Sequence, residues 1–219
     1  QMVSYDEQGR QSVVTFEVSK DGKNYSPFWI TTYKYDPVVQ SFVTEQKTLM
    51  WNADSAAYVF GDGGGCKRWD IVRDARGRVL TSEYWYQDYS TTTPQLKQRL
   101  TATYADSVGH AVAIKYEGLE YDYNTNEDVW QETESYRSIK WAATDDQYVD
   151  IDASFLQGEQ RMLAADTYYA GQANGTLSVT YDAKNVEDYA YVIDQPGVGK
   201  QEFKIWTTDA NGSYEYHNK

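Results

Sequence analysis

The chain has 219 residues and a mass of 25.2 kDa, which is enough for one large β domain or two small domains with a hydrophobic core. Its net charge of −13 and pI near 4.5 repel phosphate backbones and anionic lipids, so we expect no nucleic-acid or membrane-surface partner. The apolar runs fall far short of the roughly 20 residues that a membrane-spanning helix needs, and we expect no membrane span.

Aromatic residues supply much of the hydrophobic content, with 21 tyrosines and 7 tryptophans. These side chains bury a large area while their hydroxyl or indole tips stay in water, and they favour strands. The single cysteine, Cys66, excludes an intramolecular disulfide framework and any zinc site built from several cysteines.

Segments of alternating or β-rich character recur along the whole chain between turn signals, which predicts antiparallel strands. The predicted strands are Ser12–Ser19, Trp29–Tyr35, Phe42–Trp51, Val79–Tyr89, Lys97–Tyr104, Ala111–Tyr123, Val129–Trp141, Arg161–Tyr169, Thr176–Tyr181, Tyr189–Asp194 and Glu202–Thr207.

Turn residues connect these segments, and the pairs Asp21-Gly22, Asn174-Gly175 and Asn211-Gly212 predict tight hairpin turns. Two segments, Gln95–Leu100 and Phe155–Ala165, are compatible with a helix but lack a clear start signal. We therefore expect an all-β meander of hairpins with little helix.

A repeated turn of the form Asp, two spacers, Gly and a polar residue is the most informative local pattern. In such a turn the Asp side chain accepts bonds from backbone amides ahead of it, and Gly takes the left-handed conformation. The spacings are near multiples of about 34 residues, which indicates an array of hairpin units. The four copies begin at Asp6, Asp74, Asp106 and Asp209, and Tyr35-Asp36 and Tyr181-Asp182 are candidate eroded copies.

The faces of the predicted strand Trp130–Trp141 are mixed, since one would carry Trp130 and Tyr136 beside Glu132 and Glu134. This mixture predicts a strand solvated on both faces and stabilised by cross-strand pairs. We therefore expect an extended, partly single-layered sheet. Residues 1–219 are expected to form one repeat-like β domain, with possible halves 1–109 and 110–219.

The turns flanked by aromatic strands resemble the tyrosine-aspartate repeats of Rhs-type extracellular proteins, especially at Tyr5-Asp6-Glu7-Gln8-Gly9-Arg10. The chain also resembles small exported β-meander proteins of Bacteroides and relatives, many of which have no known function. The resemblance implies a secreted, periplasmic or cell-surface location and a structural or binding role. It implies no catalytic residue, because the repeat is a folding element.

Catalytic and metal-binding patterns are weak. His110 follows a predicted turn and His217 lies near the end, so neither favours a nucleophilic triad. The glycine-rich run before Cys66 lacks the features of a phosphate loop and indicates a hairpin tip. The segment Asp122–Asp128 resembles the start of a calcium loop, but Glu127 replaces the required glycine. We expect no metal and no cofactor.

Paired carboxylates, such as Glu132 with Glu134 and Asp150 with Asp152, have a spacing compatible with glycoside hydrolysis. Among 33 acidic residues such pairs arise by chance, so no pair is singled out as catalytic. The alternative of a polysaccharide-active enzyme stays open on this basis.

The leading interpretation is an exported, non-enzymatic binding or adhesion module that presents an acidic, aromatic-rich sheet to a glycan or an extracellular protein. Exposed rigid rings suit both kinds of partner. A structural spacer of the cell envelope is a further alternative. The candidate ligand-binding residues are Trp85, Trp130, Tyr136 and Trp141.

Overall fold

A computed structural model describes residues 1–91, 93–105, 110–142, 162–183, 189–207 and 214–218, with side chains up to residue 204. Sixteen strands follow one another in this part of the chain. They are β1 (Met2–Tyr5), β2 (Gln11–Val18), β3 (Ser26–Tyr35), β4 (Val43–Asn52), β5 (Ala57–Val59), β6 (Gly65–Arg73), β7 (Val79–Asp88), β8 (Gln95–Tyr104), β9 (Ala111–Asp122), β10 (Glu127–Glu132), β11 (Ser135–Trp141), β12 (Met162–Tyr169), β13 (Gln172–Tyr181), β14 (Tyr189–Gln195), β15 (Gly199–Thr207) and β16 (Tyr214–Asn218).

The predicted all-β antiparallel meander is confirmed. Neighbouring strands follow the order β1-β2-β3-β4-β6-β7-β8-β9-β11-β12-β13-β14-β15-β16, while β5 pairs with β4 and β10 pairs with β9. Gln95–Leu100 belongs to strand β8 and not to a helix. The described residues include no helix, and so none with the length and apolar character to cross a bilayer.

Contacts divide the chain into two compact units. Unit 1 comprises Gln1–Asp70 and Glu83–Gln98, and unit 2 comprises Ile71–Ser82 and Arg99–Lys219. The long strands β6, β7 and β8 therefore contribute residues to each unit. The predicted boundary between the two halves falls at Gly109, outside the described residues.

Unit 1 contains a row of small side chains across its first strands, of which Val14 and Thr31 are buried. Val14 of β2 pairs with Thr31 of β3, and Thr31 pairs with Thr48 of β4. The two threonine hydroxyls lie 2.8 Å apart and hydrogen-bond, which satisfies both groups where Thr31 is buried.

Unit 2 has a buried face. Ile114 of β9 pairs with Tyr136 of β11, which pairs with Thr167 of β12, and all three side chains are buried. Arg137, the next residue along β11, points to the other face and is exposed. The expectation that this stretch is solvated on both faces is therefore wrong for β11.

The Asp-x-x-Gly-Arg turns at Asp6 and Asp74 share one geometry. In the second, Asp74 Oδ1 accepts the backbone amides of Arg76 at 2.9 Å and Arg78 at 3.0 Å. Its Oδ2 accepts Arg78 Nε at 2.7 Å, and Gly77 has a φ of +83°. The bonds from Arg10 to Asp6 repeat this arrangement, with Gly9 at +78°. The predicted role of Asp and Gly in these two turns is confirmed.

Four pairs of neighbouring strands are joined by an aromatic clamp, defined here as a hydrogen bond from the polar tip of an aromatic side chain to a backbone carbonyl. In each clamp the aromatic residue that ends one strand donates from its polar tip to the carbonyl of the residue that begins the neighbouring strand. The bonds are Tyr35 Oη to Gln11 O at 2.8 Å, Tyr104 Oη to Val79 O at 2.9 Å, Trp141 Nε1 to Ala111 O at 2.7 Å, and Tyr181 Oη to Met162 O at 3.2 Å.

Stacking reinforces three of these clamps. The Arg10 guanidinium lies 4.4 Å from the Tyr35 ring centre, and that of Arg78 lies 4.2 Å from the Tyr104 ring centre. His110 takes the place of the arginine in the third clamp, where its ring stacks on Trp141 at 6.0 Å. In the two Asp turns that the structure describes, the arginine thus lies on the aromatic residue that ends the second strand after the turn, which helps to fix the register of the hairpin.

The Asn174-Gly175 signal marks a bulge instead of the predicted hairpin turn. The β12–β13 turn lies at Ala170 and Gly171, with φ values of 48° and 74°. Gly175 is inside β13, opposite a register shift in β12, with a φ of 140°. A Cβ added there would lie 2.1 Å from the Asp194 carbonyl oxygen, so the close approach of β14 demands glycine. Asn211-Gly212 lies outside the described residues.

Candidate functional site

The tip of the β9–β10 hairpin is a short loop held by its own side chains. Asp122 Oδ1 accepts the backbone amide of Asn124 at 2.8 Å and its side-chain amide at 3.0 Å. Asn126 has a φ of 55°, a conformation that asparagine tolerates, and its amide donates to the Asp122 carbonyl at 2.8 Å. The segment predicted to resemble a calcium loop is thus a self-capped turn.

Two tyrosine rings flank this loop. Tyr121 and Tyr123 meet edge to face, with ring centres 5.1 Å apart and planes at 83°. The Tyr121 hydroxyl donates to Asn126 Oδ1 at 3.2 Å, which orients its ring. Tyr123 is 84% exposed, so one face of its ring is open to solvent.

A cleft of about 350 Å³ opens beside these rings. Its walls combine aromatic, amide, carboxylate and aliphatic groups. The lining residues are Tyr121, Asp122, Tyr123, Asn124, Val129 and Gln131. Concave sites with aromatic walls and a few polar groups are the usual form of small-ligand sites.

Trp130 extends this aromatic surface along β10. It pairs across the hairpin with Leu119, and Asp128 pairs with Tyr121, so Trp130 and Tyr121 project from the same face. The Trp130 ring is 44% exposed. Arg99 of β8 lies 5.9 Å from its ring centre. None of the four predicted ligand-binding residues lines the cleft, and Trp130 lies between two lining residues, Val129 and Gln131, that project from the opposite face of β10.

A bulge separates Tyr136 from this surface. Glu132 of β10 pairs with Glu117 of β9, and Tyr136 of β11 pairs with Ile114 of β9. Between these two pairs β9 advances by three residues, whereas the segment opposite it advances by four. The extra residue reverses the alternation, so Tyr136 projects from the face opposite Trp130. The prediction that Trp130 and Tyr136 share a face is wrong for this reason.

Tyr136 is a core residue. Its side chain is 9% exposed, and burial, with a smaller contribution from the Glu134 carboxylate, raises the pKa of its hydroxyl far above the ordinary value. Trp141 is half-buried in its aromatic clamp on Ala111. The structure does not bring these two predicted residues to the cleft.

Trp85 belongs to unit 1. Its side chain is half-buried, and the Arg68 guanidinium lies 5.4 Å from its ring centre. Among the described groups its indole nitrogen is buried without a hydrogen-bond partner. The same unit holds a T-shaped contact between Phe42 and Trp69 and a tilted contact between Trp69 and Tyr84. Trp85 thus lies against Arg68, while Tyr84, the preceding residue of β7, projects from the opposite face and contacts Trp69.

The predicted carboxylate pair Glu132 and Glu134 flanks the bulge. Glu132 lies 3.5 Å from the Arg137 guanidinium, which itself stacks on Tyr168 at 3.8 Å. Glu134 is exposed. The pair Asp150 and Asp152 lies outside the described residues. Within the described ranges no group of three or more His, Cys, Asp and Glu side chains could hold a metal ion.

Cys66 and His110 are not among the residues that line the cleft. Cys66 is a free, half-buried thiol on β6, and burial raises its pKa above the ordinary value. The nearby Glu45 carboxylate acts in the same direction. His110 is engaged by Trp141, and the side chain of His217 is not among those described.

The sequence interpretation did not single out Tyr121 and Tyr123. Their signal is the alternation Tyr-Asp-Tyr directly before an Asn-rich turn, which places two rings on one face at the end of a strand. The charged residues around these two tyrosines are all acidic. Residues 117–134 include seven Asp or Glu and no Lys or Arg.

Comparisons with known proteins add little to this site. No protein-family model matches the sequence, and no curated protein matches it. One structural match is a crystal structure of a protein of unknown function from Bacteroides fragilis, with 12% identity and a TM-score of 0.31. The match covers 59% of this chain and 86% of that one, and at this TM-score it carries no functional argument.

Proposed function

We propose that this chain is a non-enzymatic carbohydrate-binding module whose site is the cleft at the β9–β10 hairpin. The observation that supports it is the pair of perpendicular rings, Tyr121 and Tyr123, beside a cleft of about 350 Å³ that also presents amide and carboxylate groups. That volume falls at the lower end of the roughly 300–1,000 Å³ typical of ligand sites.

A sugar ring suits this geometry because its two sides differ. The C–H side of a pyranose is apolar and packs on an aromatic face, while its hydroxyl groups need hydrogen-bond partners. Tyr123 offers the open ring face, and Asn124 and Gln131 offer amide groups along the wall. Tyrosine provides such contact area with little loss of conformational entropy.

The loop is also organised before any ligand binds. Asp122 caps the turn and Asn126 holds the Tyr121 hydroxyl, so these groups are in place in the free protein. A preorganised site binds more tightly because less freedom is lost on association. Trp130, on the same face as Tyr121, would extend the platform to a second sugar unit.

A glycan array followed by calorimetry tests this proposal. Wild-type protein should bind at least one oligosaccharide family, and Tyr123→Ala should weaken binding at least about tenfold, since an aromatic anchor contributes about 1.4 kcal/mol or more. Tyr89→Ala is the matched control, because Tyr89 is a 57% exposed tyrosine in unit 1 outside the cleft. An empty array, or equal losses in the two variants, would contradict the proposal.

The proposal includes a location where glycans occur: secreted, periplasmic or on the cell surface. We also propose that the chain is related to the tyrosine-aspartate repeat proteins. The Arg–Asp bonds within the turns at Asp6 and Asp74 support this relationship. Fractionation of the source cells with a specific antibody tests the location, and a signal confined to the cytoplasm would contradict it. Release of reducing sugar during the binding assays would instead favour the enzymatic alternative.

A further inference from the structure

The hairpin that carries the cleft is surrounded by negative charge. Glu120, Glu127 and Asp128 are exposed, while Asp122 lines the cleft itself. Residues 117–134 include no Lys or Arg among their ionisable side chains. Any ligand at the cleft therefore meets several carboxylates within one short hairpin.

These carboxylates lie on both sides of the tyrosine rings. Asp128 pairs with Tyr121 and so shares its face, and Glu127 pairs with Asp122 at the end of the hairpin. Glu120 pairs with Val129, a cleft residue, on the opposite face. The hairpin thus presents carboxylates on both of its faces.

The charge of Asp122 is fixed by the loop. Hydrogen bonds from Asn124, first from its backbone amide, hold the pKa of Asp122 below its ordinary value in spite of opposing burial. Two cations lie near this hairpin, since Arg99 is 5.9 Å from the Trp130 ring centre and Lys115 pairs with Glu117 at 2.8 Å.

We propose that the cleft selects glycans bearing free amino groups over their neutral or acidic counterparts, an inference that rests on the proposed function. An ammonium group on the sugar is attracted by the carboxylates and by the faces of the tyrosine rings. A carboxylate or sulfate on the sugar is repelled by the same groups. The carboxylates and the aromatic rings together therefore favour a glycan that carries ammonium groups.

Three oligosaccharides of equal length and β-1,4 linkage provide the test: glucosamine, N-acetylglucosamine and glucose hexamers. At about pH 5.5 the amine and most carboxylates are charged, given carboxylate pKa values near 4. At about 50 mM salt we expect five- to tenfold tighter binding of the glucosamine hexamer, because each exposed ion pair contributes up to about fivefold. At about 1 M salt, where the screening length is about 3 Å, the preference should fall below about twofold.

Two double variants test whether the carboxylates of the β9–β10 hairpin cause the preference for the glucosamine hexamer. Glu127→Gln combined with Asp128→Asn should narrow the glucosamine preference to about twofold or less, since two of the exposed carboxylates are removed. Glu7→Gln combined with Glu17→Gln removes the same charge from unit 1 and should leave the preference unchanged.

The outcomes separate the two proposals. If no hexamer binds, the carbohydrate site itself is wrong. If all three bind equally, or a neutral hexamer binds best, the site stands and the amino-sugar selectivity is wrong. If Tyr123→Ala binds the glucosamine hexamer as tightly as wild type does, the attraction comes from the net charge of −13 and the selective cleft is refuted.

Discussion

Gly175→Ala is expected to destabilise the protein severely because two strands meet at this glycine. Its φ of 140° is a conformation that L side chains rarely adopt, and such strain costs about 1–3 kcal/mol. The added Cβ would lie 2.1 Å from the Asp194 carbonyl oxygen, so β13 and β14 must also separate. Overpacking of this kind costs about 1–3 kcal/mol. The total loss of unfolding free energy is therefore about 2–6 kcal/mol.

Gly197→Ala is the matched control for this prediction. Gly197 also has a positive φ, of 80°, but an added Cβ there meets nothing within 4 Å. Its substitution carries the backbone strain alone, about 1–2 kcal/mol. Urea denaturation followed by tryptophan fluorescence measures both variants. Equal losses in the two variants would refute the conclusion that β14 presses on Gly175.

The aromatic clamps give three further predictions. Tyr104→Phe should cost about 1 kcal/mol at neutral pH, because it removes the bond to the Val79 carbonyl, and an unchanged urea midpoint would contradict this. Burial raises the pKa of Tyr104 from 10.0 to about 12, so the stability that depends on its neutral hydroxyl is complete below pH 10 and is lost as the pH rises to 12. The advantage of wild type over Tyr104→Phe should shrink across that window in urea titrations, and a constant difference would argue against the buried hydroxyl. Trp141→Phe should cost about 1 kcal/mol through the lost bond to Ala111, whereas Trp130→Phe should change stability by less than about 0.5 kcal/mol, and thermal melts showing the reverse order would contradict the assignment of the two rings.

Local chemistry made the meander and its Asp turns predictable. At Asp6 and Asp74 one carboxylate and one glycine determine the whole turn, so the interactions that form it lie within five residues of sequence. The clamps that follow Asp6 and Asp74 also leave a signal in the sequence, because an aromatic residue ends the second strand after each turn arginine. The geometry that joins Tyr104 to Val79 depends on strand pairing and could not be read from either segment alone.

Two β-bulges explain why two predictions from the sequence are wrong. The alternation around Trp130 and Tyr136 is regular in the sequence, yet one extra residue opposite β9 reverses it and separates the two rings. At Gly175 the Asn-Gly pair carries a turn signal, but the approach of Asp194 from β14 requires glycine for a different reason. Both features depend on contacts with other strands, which a local pattern cannot reveal.

A nuclear magnetic resonance titration of isotopically labelled protein with the glucosamine hexamer tests the proposed cleft most directly. The account predicts saturable shifts at Tyr121, Tyr123, Asn124 and Gln131, with the amides around Trp85 unmoved. Shifts that centre on Trp85 instead, or a spectrum unchanged by that hexamer and by its neutral counterparts, would contradict it.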